Sequence, residues 1–271
     1  MTATHLATAQ DTAHYASVNG LKMYYEIHGA GRPLVLVHGG GSTIHTSFGK
    51  ILPMLAKTHQ VIAVELQAHG HTSDRDAPET FEQDADDIAE LLKQLNISGA
   101  DVLGFSNGGN TAMRLAMRNP GRVRKLVLAS AFYKRSGMYS WFWEGMQHAK
   151  LGNMPKVYQD EYLHITHSQT GLQRMHDLDA QRMQSFKDWK DEEIRSIQAP
   201  TLVIIGDQDV VTPEHAVEMY RLLPHGRLAM FPASHGSYMG EIMSPDPDSK
   251  VPELFVAMLE EYLAAPMPEA K

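Results

Sequence analysis

The sequence predicts an α/β protein with a mostly parallel central sheet, helices on both faces and an antiparallel hairpin at the N-terminal edge. Short apolar runs at residues 33–39, 60–65 and 201–207 alternate with segments of helical periodicity. Continuously apolar strands of this kind are typical of parallel sheets that are buried on both faces. Asn19-Gly20 lies between two strand-like runs and predicts the hairpin, because both residues tolerate positive φ.

The composition is that of an ordinary globular protein. The 271 residues fit one sizeable domain with an inserted subdomain, and 43% of them are apolar and 21% charged. The formal net charge of −8 disfavours binding to nucleic acids or to an anionic membrane. The absence of cysteine excludes disulfides, thiolate metal sites and a cysteine nucleophile.

The N-terminal segment does not have the pattern of a targeting signal. Residues 1–13 are polar and lack both the basic start and the apolar run of a signal peptide. No window approaches the ~18 apolar residues of a membrane span. We therefore expect a cytoplasmic monomer or homodimer with no nucleic-acid or membrane partner.

The first half of the chain alternates strand and helix patterns. Thr80 and Gln83 have the spacing of a capping box at the start of one helix, and Asn119-Pro120 ends the next. In chain order after the hairpin, the patterns predict a strand at 33–39, a helix at 48–57, a strand at 60–65, a helix at 81–95, a strand at 101–105, a helix at 111–118 and a strand at 123–129.

The alternation is interrupted between residues 133 and 197, which show helical patterns and no clear buried strand. This section holds all three tryptophans and several methionines. Alternation then resumes, with a strand at 201–207, a helix that begins at Thr212-Pro213, a strand at 227–231 and an amphipathic helix at 251–263.

The rest of the chain is organised around the strand, turn and helix that contain Gly104-Phe-Ser-Asn-Gly-Gly109. This G-x-S-x-G pattern is typical of a sharp turn that lifts the Ser106 side chain above the sheet. Backbone segments pass close together at such a turn. Residues two before and two after the serine must therefore be small, as Gly104 and Gly108 are.

Polar groups also follow the other buried strands, where ligands of such sheets bind. These groups are His38-Gly39-Gly40-Gly41, Gly206-Asp207-Gln208-Asp209 and Pro232-Ala233-Ser234-His235-Gly236. With these motifs in the order serine, acid, histidine, the chain resembles the α/β-hydrolase fold family from the hairpin to the last helix. The resemblance implies the α/β-hydrolase fold and a serine hydrolase that needs no cofactor.

The resemblance implies a catalytic triad. A serine hydroxyl is a weak nucleophile at neutral pH, and His235 is the candidate base that takes the proton of Ser106. Asp209 is the candidate acid, because the family's acid usually occupies the second carboxylate of G-D-x-D. Asp207 is the alternative.

Attack on a carbonyl creates an oxyanion, which needs preorganised hydrogen-bond donors. The backbone N–H of Asn107 is expected to supply one donor, since Asn107 follows the nucleophile. The second donor is expected from the loop after His38-Gly39, at the N–H of Gly40 or, as the alternative, of Gly41.

The resemblance further implies a helical cap, inserted after the sixth strand at residues 134–198, on a core formed by residues 1–133 and 199–271. Aromatic and methionine side chains would line the space between cap and core, which favours a small or medium hydrophobic acyl or alcohol group. The candidate pocket residues are His38, Phe105, Trp141, Trp143 and Met146.

These features predict a carboxylesterase that forms an acyl-enzyme on Ser106 and acts on a small-molecule ester. The serine argues against the epoxide and halide chemistry for which relatives use an aspartate. Three alternatives remain open: carbon–carbon bond hydrolysis, lactonase or perhydrolase activity, and a ligand receptor that barely turns over.

Two histidine pairs have spacings that resemble metal sites. His164 and His167 have the i, i+3 spacing that places two ligands on one helix face, and His69 and His71 flank a glycine. No third ligand stands at a supporting spacing, so we expect no metal. Glu65 occupies the place of an aspartate that begins a turn in the family, and we expect the same loop with different polar contacts.

Overall fold

The computed structural model of the protein describes residues 12–268. The expectation about a signal peptide concerns residues 1–13, and nearly all of these lie outside the described range. Within that range the strands are β1 (Ala13–Val18), β2 (Leu21–His28), β3 (Arg32–Val37), β4 (His59–Val64), β5 (Ala100–Phe105), β6 (Val123–Ala129), β7 (Thr201–Gln208) and β8 (Gly226–Ser234).

The eight strands of residues 12–268 form one sheet in the order β1-β2-β4-β3-β5-β6-β7-β8. Strand β2 pairs antiparallel with β1 and with β4, and the remaining pairs are parallel. Val18 pairs with Leu21 across the hairpin, and its two loop residues, Asn19 and Gly20, have φ of 45° and 81°. The predicted fold class and its N-terminal hairpin are confirmed.

Helices connect the strands. Within the described residues they are α1 (Ile44–Phe48), α2 (Leu52–Leu55), α3 (Phe81–Gln94), α4 (Asn107–Arg118), α5 (Ser140–Gln147), α6 (Lys156–Thr166), α7 (Gln169–Gln184), α8 (Asp191–Arg195), α9 (Pro213–Leu222) and α10 (Val251–Ala264). Short 3-10 turns lie at Pro120–Arg122, Arg135–Gly137, Leu151–Asn153 and Ser237–Met239.

The single helix predicted at 48–57 is wrong, because the chain forms the two short helices α1 and α2 there. Thr43 caps α1 with a reciprocal hydrogen-bond pair to Thr46, so this helix begins before the predicted segment. Pro53 lies in the first turn of α2. Proline cannot donate the backbone hydrogen bond that would continue α1 into α2.

The cap of α3 differs in one detail from the predicted capping box. Thr80 accepts a hydrogen bond from Gln83 N, at 3.1 Å, as expected. The Gln83 side chain instead donates to Asp87, at 2.9 Å, and does not return to the cap. The helix therefore begins where the sequence predicts, but only one of the two hydrogen bonds of a capping box is present.

Alternate residues of the central strands face opposite sides of the sheet and contribute to two apolar cores. In β3, Val35 and Val37 pack with α3 and α4, whereas Leu34 and Leu36 pack with α1, α2 and α10. Each side chain of this size contributes about 1.5–3 kcal/mol when fully buried. The packing leaves the carboxyl ends of the strands as the place where polar groups gather.

Helices α5 to α8 all lie between β6 and β7, in a stretch that is entirely within the described residues. Trp143 and Trp189 are buried there, whereas Trp141 is 57% exposed. In the described part of the chain, no helix combines the length and the apolar character needed to cross a membrane.

Candidate active site

A cavity of about 570 Å³ is lined by the loop after β3, the turn after β5 and His235 after β8. Helices α5 to α7 and the segment between α5 and α6 supply its other walls, which are largely apolar and include Trp141, Phe142, Met146 and Met175. Residues from the ends of separate strands therefore face one space, as expected for the carboxyl edge of a parallel sheet.

Ser106 stands at the junction between β5 and α4 in a strained backbone conformation, with φ 52° and ψ −121°. The turn is tight enough to require its glycines. A Cβ on Gly104 would lie 2.2 Å from the Gly108 carbonyl oxygen, and one on Gly108 would lie 2.1 Å from that of Val37. The glycines thus permit the close approach that exposes Ser106 to the cavity.

His235 pairs with Asp209 and not with Asp207. The distance from His235 Nδ1 to Asp209 Oδ1 is 2.6 Å. Asp209 is only 4% exposed, and the backbone N–H groups of Val210 and Val211 donate to its Oδ1 at 2.7 and 3.2 Å. Asp207 is exposed and accepts a hydrogen bond from Ala233 N instead.

Ser130, which is not among the predicted site residues, also supports Asp209. It follows β6 with φ 53°, and its hydroxyl donates to Asp209 Oδ2. Tyr238 OH lies 2.7 Å from the same hydroxyl. The place of Ser130 at the end of a buried strand was the sequence pattern that could have identified it.

The opposite charges of Asp209 and His235 shift the pKa values of both side chains. Burial alone would raise the pKa of Asp209, but the charge of His235 and the hydrogen bonds from His235, Ser130 and Val211 lower it overall. Burial alone would lower the pKa of His235, but the charge and hydrogen bond of Asp209 raise it above 6.5. An ionised Asp209 can only accept a hydrogen bond, so His235 Nδ1 carries the hydrogen and Nε2 is free to accept a proton.

Ser106 and His235 line the same cavity, without a hydrogen bond between them in the described structure. The Phe105 ring lies against His235, with ring centroids 4.8 Å apart. Gly236, with φ 72°, leaves room for Phe105, since a Cβ there would lie 2.6 Å from its ring. Phe105 therefore forms part of the cavity wall.

Of the two candidate oxyanion donors in the loop after β3, the N–H groups of Gly40 and Gly41, one is free of hydrogen bonds within the described residues. Within residues 12–268 the N–H groups of Gly40 and Asn107 have no hydrogen-bond partner. The N–H of Gly41 donates to a carboxylate, that of Asp179. The geometry thus favours Gly40 over Gly41 as a partner for Asn107.

His38 does not line the cavity, contrary to expectation. It is fully buried, its Nδ1 lies 2.7 Å from the Gly39 carbonyl oxygen, and its Nε2 accepts from Leu66 N. Burial and the neighbouring His69 lower the pKa of His38 to about 3, so its ring is neutral. It supports the loop after β3 from the buried side, away from the cavity.

Trp143 does not line the cavity either, whereas Trp141 and Met146 do. The Trp143 indole Nε1 donates to the Arg135 carbonyl oxygen, at 2.7 Å, and its ring packs edge-on against Phe132. Trp143 lies two residues from Trp141 on α5, so the two side chains leave the helix on different sides.

The loop at 65–72 is held by Glu65. Glu65 Oε2 accepts from His71 N, at 2.6 Å, and from His71 Nδ1, at 3.0 Å. Among the described residues, no group of three or more histidine, aspartate or glutamate side chains is arranged to hold a metal ion.

Comparison with known proteins identifies relatives of this arrangement. The model of the α/β-hydrolase fold family matches residues 32–171. A pimeloyl-[acyl-carrier protein] methyl ester esterase of Neisseria meningitidis serogroup C is 28% identical over 232 residues, which are 77% of this chain and 88% of that protein. Serine hydrolase BPHL of Homo sapiens is 28% identical over 263 residues, which are 90% of this chain and 86% of that protein.

A solved structure has the same fold. The serine hydrolase CarC, which is involved in carbazole degradation, superposes with a TM-score of 0.76 at 24% sequence identity. The match covers 93% of this chain and 98% of that chain.

Proposed function

The chain belongs to the α/β-hydrolase fold family, and we propose that it is a serine hydrolase that cleaves small to medium hydrophobic carboxylic esters. In this proposal Ser106 is the nucleophile, His235 the general base and acid, and Asp209 the triad acid. The observation that carries it is the 2.6 Å contact between His235 Nδ1 and Asp209 Oδ1 at the wall of the cavity that Ser106 also lines.

The first half of the reaction acylates the serine. Ser106 Oγ bonds to the ester carbonyl carbon while its proton moves to His235 Nε2. The carbonyl oxygen becomes negative and accepts hydrogen bonds from the Gly40 and Asn107 N–H groups. The bond to the alcohol oxygen then breaks, and His235 gives its proton to the departing alcohol.

The second half releases the acid. A water molecule gives a proton to His235 Nε2 as its oxygen bonds to the acyl carbon, and the same N–H groups stabilise the second oxyanion. The bond to Ser106 Oγ breaks, and the proton on His235 returns to the serine. Asp209 remains ionised throughout and stabilises each imidazolium.

The cavity supports an uncharged, apolar substrate. A volume of about 570 Å³ lies within the range of small-molecule sites, and its exposed lining is largely apolar, with aromatic and methionine side chains as its largest members. Carbon–carbon hydrolysis of diketone acids would call for a cation facing the substrate carboxylate. No arginine lines this cavity in the described structure, and Lys150 lies in an exposed part of its wall.

We also propose that residues 134–198 act as a cap on a core of residues 1–133 and 199–271. The support is that α5, α6 and α7 contribute walls of the cavity that Ser106 also lines. Because these helices supply the apolar side chains, we expect them to set chain-length preference, while the core supplies the chemistry. The methyl ester named for one relative fits a small alcohol group in the same space.

The proposal is tested by labelling with a fluorophosphonate, with the adduct located by peptide mass spectrometry. We expect a single adduct on Ser106, slowed by competing esters in an order that reflects acyl chain length. Lactones in the same panel test whether cyclic esters compete as well. Ester turnover without any adduct on Ser106 would overturn the assignment.

A further inference from the structure

Asp179, on α7, reaches the cavity wall and contacts the loop after β3. The N–H of Gly41 donates to Asp179 Oδ2, and Asn107 Nδ2 lies 3.5 Å from Oδ1. A Cβ built on Gly40 would lie 3.3 Å from Oδ2. A carboxylate from the inserted helices therefore borders both residues whose N–H groups are proposed to hold the oxyanion.

Two buried cationic groups hold this carboxylate. Arg182 donates to Oδ1, and His69 Nε2 lies 3.0 Å from Oδ2. The other ring nitrogen of His69 lies 2.7 Å from the Gln67 carbonyl oxygen, which can only accept. Both nitrogens therefore carry hydrogen, and the ring is an imidazolium. In agreement, although burial lowers the pKa of His69, the charge and hydrogen bond of Asp179 help to raise it to about 9.

The charges in this cluster balance. His69 and Arg182 are positive, and Asp179 is negative. Arg182 also donates to Asp84, at 2.8 Å, which supplies the second negative charge. Burial raises the pKa of Glu79 to about 8, so this side chain is largely neutral at pH 7. An unpaired carboxylate would repel a developing oxyanion, whereas a neutralised one can serve as a hydrogen-bond acceptor.

Contacts on either side of Gly40 fix the loop. On one side, His38 Nδ1 donates to the Gly39 carbonyl oxygen, at 2.7 Å. On the other side, Asp179 accepts from the Gly41 N–H. Between these anchors, the N–H of Gly40 has no partner among residues 12–268.

We propose that Asp179 is a positioning residue of the oxyanion hole. By holding the Gly41 N–H, it keeps that group out of the reaction and fixes the neighbouring Gly40 N–H toward the reacting carbonyl. Because Asp179 belongs to α7, the geometry of the oxyanion hole depends on how the inserted helices pack against the rest of the protein. This inference rests on the proposed function of Ser106.

The test compares Asp179→Ala, Asp179→Asn and Asp84→Asn in the full-length enzyme. D179A removes the acceptor of the Gly41 N–H, so kcat falls with little change in KM. We expect a loss of about 10- to 100-fold, smaller than the roughly 10²–10³-fold that follows loss of an oxyanion donor itself. D179N keeps one oxygen for the Gly41 N–H, so its kcat should lie between those of D179A and the wild type. D84N removes a buried charge from the same cluster without touching the loop.

A trifluoromethyl ketone reports on the oxyanion directly, because Ser106 adds to it and forms a tetrahedral oxyanion. Its affinity should fall in D179A by the same factor as kcat/KM, as expected for a transition-state mimic. The matching alcohol, which fills the pocket without forming an oxyanion, should bind all variants equally. D84N should show a smaller loss of kcat than D179A at a similar melting temperature.

The inference is overturned if D179A keeps the kcat of the wild type. It is also overturned if D84N and D179A lose kcat and stability in equal measure, since Asp179 would then act only through folding. Should D179A not fold, the kcat and the trifluoromethyl ketone affinity of D179N are compared with those of D84N instead. Failure of the proposed function would instead appear as an absence of the fluorophosphonate adduct on Ser106 of the wild type.

Discussion

His235 Nδ1 lies 2.6 Å from Oδ1 of Asp209, a carboxylate that is 4% exposed. This contact joins a loop after β8 to a loop after β7, across neighbouring parallel strands. It fixes the tautomer of the imidazole and supplies a negative charge beside it. The expected pH dependence and the effects of several substitutions follow from this contact.

The pH profile of kcat/KM should show an acidic limb with an apparent pKa above 6.5. The base must be unprotonated, and although burial lowers the pKa of His235, Asp209 raises it overall. Activity is therefore present above that pKa and is lost as the pH falls through it. The measurement is hydrolysis of an uncharged ester from about pH 5 to 9. A limb at or below 6.5 would contradict the pairing.

Asp209→Asn should lower kcat by about 10⁴-fold, because the amide can stabilise the wrong tautomer of His235 and removes the charge beside it. Asp207→Asn is the matched control, since Asp207 is exposed and contacts Ala233 N. We expect D207N to retain activity in the same nitrophenyl ester assay. Equal losses in the two variants would remove the distinction between the carboxylates.

Ser130→Ala should reduce kcat/KM about tenfold. The variant loses a hydrogen bond to an ionised group, of a kind that contributes about 1.5–3 kcal/mol. Among the described residues, Asp209 Oδ2 would then keep only the Gly206 N–H, at 3.5 Å. Tyr238→Phe is the comparison variant, because it removes the hydroxyl behind Ser130 and leaves the bond to Asp209 in place. A larger loss in Y238F than in S130A would contradict the role of Ser130.

Trp141→Ala and Trp143→Ala should affect different properties, substrate binding and stability, although the two residues lie only two positions apart on α5. Trp143 is 8% exposed and packed, so its truncation should destabilise the protein by about 3–5 kcal/mol. Trp141 is 57% exposed and lines the cavity, so W141A should keep stability within about 0.5 kcal/mol and raise KM for longer esters. Urea denaturation and an ester chain-length series measure the two effects. Similar results from both variants would contradict the assignment of helix faces.

Glu79→Gln should flatten the pH dependence of stability between pH 6 and 8. Burial raises the pKa of Glu79 to about 8 in the folded state, above its ordinary 4.5. The stabilisation that protonated Glu79 contributes to the folded state is therefore fully present below pH 4.5 and is lost as the pH rises through 8. Glutamine stays neutral at both values, so the variant should lose less stability over this interval. The slope difference, up to about 1.4 kcal/mol per pH unit, is measured by urea denaturation. Parallel curves would contradict the raised pKa.

Much of the sheet and of the candidate triad could be predicted from sequence, because both depend on local patterns. Continuous apolar strands give the alternation, and residues that directly follow parallel strands must gather at one edge. Ser106, Asp209 and His235 all occupy such positions. Ser130 does too, but its place at the end of a strand is a weak signal, because no glycine flanks this serine.

The contribution of the inserted helices could not be predicted in the same way. Asp179 lies inside α7, where an acidic residue is most often solvated, and nothing in the local sequence indicates that it meets Gly41 from the loop after β3. The face of α5 that meets the cavity likewise depends on how the helix docks. Aromatic content alone therefore could not separate Trp141 from Trp143.

The most direct test of the central claim is turnover of a nitrophenyl ester by purified Ser106→Ala. We expect a loss of about 10⁶-fold in kcat, because the acyl-enzyme cannot form. Circular dichroism and melting temperature should remain close to those of the wild type, since the change removes one hydroxyl at the cavity wall. Undiminished turnover by the folded variant would contradict the role of Ser106 as the nucleophile.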